Sequence, residues 1–127
     1  MLYAILCYNH EEITSAWTKE EEDQCMAQLL AVQEPLKQQG KLGPVARLLP
    51  TSSATTLRKT GDEALVIDGP FAETKEQLLG FYVVDVASLD EALDLARDLA
   101  KANLSQGAYE IRPIQLLLPS ALPNETT

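Results

Sequence analysis

The side chains best suited to chemistry gather in one stretch, IDGPFAETKEQLLGFYVVD, residues 67–85. Asp68, Glu73, Thr74, Lys75 and Glu76 follow one another between two apolar runs. The edge of a pocket would use such residues, and so would a solvated loop. As chemistry, Asp68 is a candidate general base or hydrogen-bond acceptor, tuned by partial burial. Its structural alternative is an Asx-type turn, the carboxylate accepting a local amide proton ahead of Gly69-Pro70. Lys75 is suited to holding an anionic group and Glu73 to orienting it. As a plain ion-paired loop the same residues contribute only about 0–1 kcal/mol per pair, too little to explain the pattern as a stability device. Phe71 is expected to plug the core beneath the turn.

His10 is the single histidine. An imidazole changes charge near neutral pH, which suits proton transfer, although a lone surface histidine is commonly incidental. Arg112 on the last strand can face an anionic ligand or pair with a carboxylate of the 68–76 loop. Tyr82 joins the candidate lining of a cleft, with Tyr3 and Tyr8, though strand aromatics usually pack in cores. Cys7 reads as a small buried hydrophobe. No His, Cys and carboxylate set has metal-ligand spacing, and no phosphate-cradling or dinucleotide glycine pattern occurs, so no metal or cofactor is expected.

These residues need elements to hold them. Residues 2–8 read as a strand, followed by a loop through NHEEITSAW. Thr18 and Glu21 form a capping box opening a helix whose stripe is Cys25, Leu29, Val32 and Leu36. Pro35 should loosen its last turn, and Gly40 suits a left-handed stop. Possible strands follow at 44–49 and 54–59, then a turn at 60–63 into ALVI. The strongest strand is 77–86. Ser88 and Glu91 form a second capping box, opening a helix with Leu89, Ala92, Leu93, Ala96, Leu99 and Ala100 as its buried stripe, and AYEIRPIQL closes the fold.

This order predicts an α+β fold: a ferredoxin-like subunit with two helices on one face of an antiparallel sheet. Strand one is apolar on both faces, with Tyr3 and Ile5 on one and Leu2, Ala4 and Leu6 on the other. Two helices cover one face only, so a twin subunit is expected on the second, giving a homodimer.

With 127 residues, 46% of them apolar, the chain is expected to be one domain over 1–116, with a flexible tail over 117–127. The formal charge of −9 argues against nucleic acid and anionic membrane as partners. MLYAILCY is too short for a span and lacks a basic lead, and two isolated cysteines suit a reducing cytoplasm.

The run DGPFAETKEQLLGFYVVDV resembles the DGPF branch of the YCII-related family, and GKLGPVARLLP, ATTLRK, SLDEALDLA and YEIRPI agree with it across roughly residues 1 to 115. The resemblance implies a dimeric α+β barrel, two ferredoxin-like subunits packed sheet to sheet with a cleft between sheet and loops. Relatives in the wider superfamily include isomerases, monooxygenases and dehydrochlorinases. A His–Asp pair is proposed as catalytic in the YCII branch; Asp68 fills the aspartate place, and His10 is the candidate partner. Two departures stand out: Leu79-Gly80 replaces a common glycine pair, and LAKANLSQGAYE lacks a frequent proline.

Two functions follow as expectations. One is binding, or cofactor-independent proton-transfer chemistry such as isomerisation or elimination, on a small polar or aromatic molecule near Asp68, Lys75 and His10. The other is a non-catalytic dimeric module that contacts a regulator or partner protein. Enzyme or binder is left open.

Overall fold

The computed structural model describes residues 1–123. The chain runs β1 (Leu2–Asn9), α1 (Glu11–Thr14), α2 (Lys19–Gln38), β2 (Leu42–Arg47), a 3-10 turn at Thr51–Ser53, β3 (Thr55–Thr60), β4 (Glu63–Asp68), β5 (Gln77–Asp85), α3 (Leu89–Ala102) and β6 (Ala108–Pro113). Four strands form an antiparallel sheet in the order β2-β5-β1-β6, and β3-β4 form a separate two-stranded ribbon. The α+β, ferredoxin-like expectation holds, with the ribbon inserted between β2 and β5.

Local chemistry starts and ends the helices as the residues suggest. Thr18 Oγ1 accepts from Glu21 N–H at 3.1 Å, and the Glu21 carboxylate accepts from Thr18 N–H at 3.1 Å. Past Pro35, α2 continues to Gln38. It then closes with Gly40 at positive φ, Gly40 N–H bonding to Lys37 O and Lys41 N–H to Leu36 O. At α3, Ser88 Oγ accepts from Glu91 N–H, but the Glu91 carboxylate reaches Ala87 N–H rather than that of Ser88.

Strand pairing assigns each side chain to a face, because directly paired residues point the same way. Tyr3 pairs with Val84 and Pro113, Ile5 with Tyr82 and Ile111, and Cys7 with Tyr109. This is the helix face, and its core joins Tyr3, Ile5, Val84, Val86, Ala92, Ala96 and Leu99, with Leu29 and Val32 packed against it. Leu2, Ala4 and Leu6 belong to the opposite face with Phe81, Val83 and Arg112. No helix packs there among the described residues.

The Ile114 N–H still bonds Leu2 O, whereas residues 117–123 carry no helix or strand. The rest of the expected tail, 124–127, lies outside the described residues. Among the described residues, no helix is long and apolar enough to cross a membrane.

Candidate functional site

β1 and β5 are antiparallel neighbours, so the C-terminal end of one lies beside the N-terminal end of the other, with Asn9 paired to Gln77. This end of the sheet carries most of the polar chemistry. Asn9 is buried; its Oδ1 accepts from His10 N–H at 2.8 Å and its Nδ2 donates to Ser105 Oγ at 2.8 Å. Those bonds fix the backbone from which His10 projects, at the start of α1.

Glu11 N–H donates to Gln77 Oε1 at 3.0 Å, and Gln77 Nε2 donates to Thr74 O at 2.6 Å. The Glu11 carboxylate accepts from Thr51 N–H at 2.8 Å and from Thr51 Oγ1–H at 2.6 Å. Glu11 and Gln77 thereby clamp three segments: the start of α1, the 3-10 turn and the loop ahead of β5. A cavity of about 220 Å³ opens here, lined by His10, Glu11, Glu12, Thr74, Lys75 and Gln77. Lys75 forms no ion pair among the described residues, which leaves its ammonium available to an anion.

The six residues singled out by sequence are therefore not one constellation. His10 and Lys75 meet in the cavity. Asp68 ends β4 opposite Thr55, at the foot of the β3–β4 ribbon, where Gly69 N–H bonds Ala54 O at 2.7 Å and Thr56 Oγ1 donates to Gly69 O at 2.8 Å. It stands outside the cavity lining, as does Glu73. Tyr82 and Arg112 lie on opposite faces of the sheet, since Tyr82 pairs with Ile5 and Arg112 with Ala4, adjacent residues of β1. One small ligand cannot touch both through an intact sheet.

Phe71 departs from expectation more sharply. It is 76% exposed instead of plugging the core. The core beneath is already filled from α2 and α3, and the DGPF turn sits at the ribbon's foot, away from that layer. Sequence reasoning also missed Glu11, Glu12 and Gln77. Glu11 and Glu12 stand directly after His10, but a pair of acids in a loop carries no signal of the Thr51 clamp that makes one of them structural.

Burial pushes the Cys7 thiol up to about 12 and the Tyr82 phenol up to about 12. Both stay protonated at neutral pH, so Cys7 offers no thiolate nucleophile. A larger groove of about 490 Å³ runs between α2 and α3, lined by Val32, Pro35, Leu36 and Leu95, with Asp98 and Lys101 as its two charged residues. It holds none of the six residues singled out by sequence, so the smaller cavity is the candidate site.

An α+β subunit with two helices on one sheet face and a polar cleft edged by the loop ahead of β5 defines a ferredoxin-like protein with a loop-bordered site. The YCII-related domain model matches residues 1–117, and the chain belongs to the YCII-related family. It is 63% identical over 124 residues to an uncharacterised protein of Rhizobium meliloti (strain 1021), covering 98% of this chain and 100% of that protein.

Proposed function

We propose that the protein is a DGPF-type homodimer of the cytoplasm that binds a small anionic, polar or aromatic molecule at the cleft holding His10 and Lys75. The observation that carries this reading is the convergence of those two side chains from different segments on one cavity. Chemistry there is cofactor-independent proton transfer. His10 accepts a proton from the ligand, and the Lys75 ammonium stabilises the negative charge that develops. Asp68, at the foot of the ribbon and outside the cavity lining, adds to the negative charge of the 68–76 loop rather than touching the ligand. Glu73 and Arg112 tune the local charge, and Tyr82 supports the sheet from its helix face.

The homodimer is supported by the apolar face left without helices and by the amount of surface exposed. The chain exposes 9409 Å² at 13.9 kDa, whereas a compact monomer of that mass exposes about 6,700 Å². A second reading, a non-catalytic module for a protein partner, draws support from the exposure of Phe71.

Thermal unfolding with a panel of small aliphatic and aromatic carboxylic acids separates the two. A binding acid at a hundredfold excess over its Kd stabilises the parent by about 2.7 kcal/mol. The expected result is that Lys75→Ala loses this stabilisation while Asp68→Asn, which lies outside the cavity lining, retains it. Equal stabilisation of the parent and Lys75→Ala, or none by any acid, overturns the ligand reading and leaves the partner module.

A further inference from the structure

The β3–β4 ribbon is built as though something covers it on both sides. Its register pairs Leu57 with Val66 on one face, and Thr56 with Ile67 and Arg58 with Leu65 on the other. Leu57 is 66% exposed, Val66 65% and Leu65 55%. A two-stranded ribbon is at best marginally stable alone in water, and two naked apolar faces with two unpaired edges invite association.

The ribbon is nonetheless not a loose loop. Its foot is fastened by Thr51 to the Glu11 carboxylate, by Gly69 N–H to Ala54 O and by Thr56 Oγ1 to Gly69 O. Leu48 N–H bonds Leu79 O, extending the β2–β5 pairing up to that foot. A held foot with an uncovered shaft is the arrangement of an arm.

We propose that this arm docks on a second copy of the same chain, beside the cleft, and is the element that locks the homodimer. The inference rests on the homodimer reading above. Three observations select a second copy over an unrelated partner. The sheet face on which no helix packs carries Phe81 of β5, paired with Ala46 of β2, and β2 and β5 are the strands between which the arm is inserted. An apolar arm and an apolar face on one chain are the two halves of an isologous contact, each used twice about a twofold axis. The surplus of about 2,700 Å² per chain, to which the exposed arm and the C-terminal segment both contribute, is enough to supply the about 1,000–2,500 Å² per subunit that obligate homodimers hide.

Sedimentation of the full chain over a dilution series, combined with amide hydrogen exchange at each concentration, tests the arm separately from the dimer. The expected result is a dimer whose arm amides, Thr56–Leu57 and Leu65–Ile67, lose protection in step with dissociation. Leu57→Asn combined with Val66→Asn should raise the dimer Kd at least tenfold while the body's amides keep their protection, and Lys37→Gln, on the exposed end of α2, should leave the Kd unchanged. A parent dimer with unprotected arm amides, or with a Kd unmoved by the double variant, overturns the arm and leaves the dimer standing. Arm protection that ignores dilution means that the arm closes on its own chain, which also overturns it. A parent that is monomeric throughout overturns arm and dimer together.

Discussion

β1 and the β3–β4 arm use the same vocabulary, apolar and β-branched residues on antiparallel strands, and meet opposite fates. Ile5 is wholly buried, and so nearly are Tyr3 and its cross-strand partner Val84, because α2 and α3 lie over them. Leu57 and its partner Val66 pair just as directly and stay in solvent. Strand pattern therefore reports that a face is to be covered, and the cover comes from elsewhere. In the body it comes from α2 and α3 of the same chain. For the arm, no element of the chain supplies it among the described residues.

The contrast is sharpest for truncation. Ile5→Ala should destabilise the protein by about 2–5 kcal/mol, because it opens a cavity in a packed layer. Leu57→Ala in dilute solution should stay within about 0.5 kcal/mol, as for surface positions generally. Urea denaturation of both variants reads the difference directly. A Leu57→Ala loss comparable to that of Ile5→Ala, at a concentration too low for dimers, would break the distinction between body and arm.

A second variant probes how tightly the body is built where the arm departs. Gly80 is buried, and a Cβ there would run into the Ala46 carbonyl of β2. The pairing of β2 with β5 thus depends on a missing side chain at this point, a requirement that Leu79 beside it does not share. Gly80→Ala should cost about 1–3 kcal/mol through forced backbone displacement. Because β2 leads into the arm, hydrogen exchange should show β2 amides losing protection before those of β1. Uniform loss across the sheet would instead mean that β2 and β1 open as one unit.

Much of this architecture was legible because it is written in short-range chemistry. The Thr18–Glu21 box, the Gly40 stop and the nine-residue β5 all rest on residues within a few positions of one another. What escaped depends on distant partners. The four-residue α1 has no side-chain cap and too few residues for a periodic signal. The split of Tyr82 from Arg112 follows from register, which one apolar strand with two similar faces does not declare. Phe71 was misplaced because an aromatic after a turn suggests a plug only if core lies beneath it. Of the candidate site, His10 and Lys75 could be named from their chemistry. The Glu11 and Gln77 clamp could not, since it joins residues 40 and 66 positions apart.

The smallest effect expected concerns a half-exposed polar contact at the rim of the core, where α3 begins. The Glu91 carboxyl is held below its usual range, first by the Ala87 N–H it accepts and then by Lys41, whose Nζ lies 3.1 Å away. A carboxyl with a depressed folded-state pKa contributes its stability above the unfolded-state value, near 4.5, and loses it as pH falls through the folded-state value. Glu91→Gln should therefore be less stable than the parent at neutral pH, and the two should converge as the solution is acidified below the carboxylate range. The gap should also shrink with added salt, since the Lys41 pair is half exposed and screened. Persistence of the full gap in acid would move the cause from charge to the lost geometry of the α3 cap.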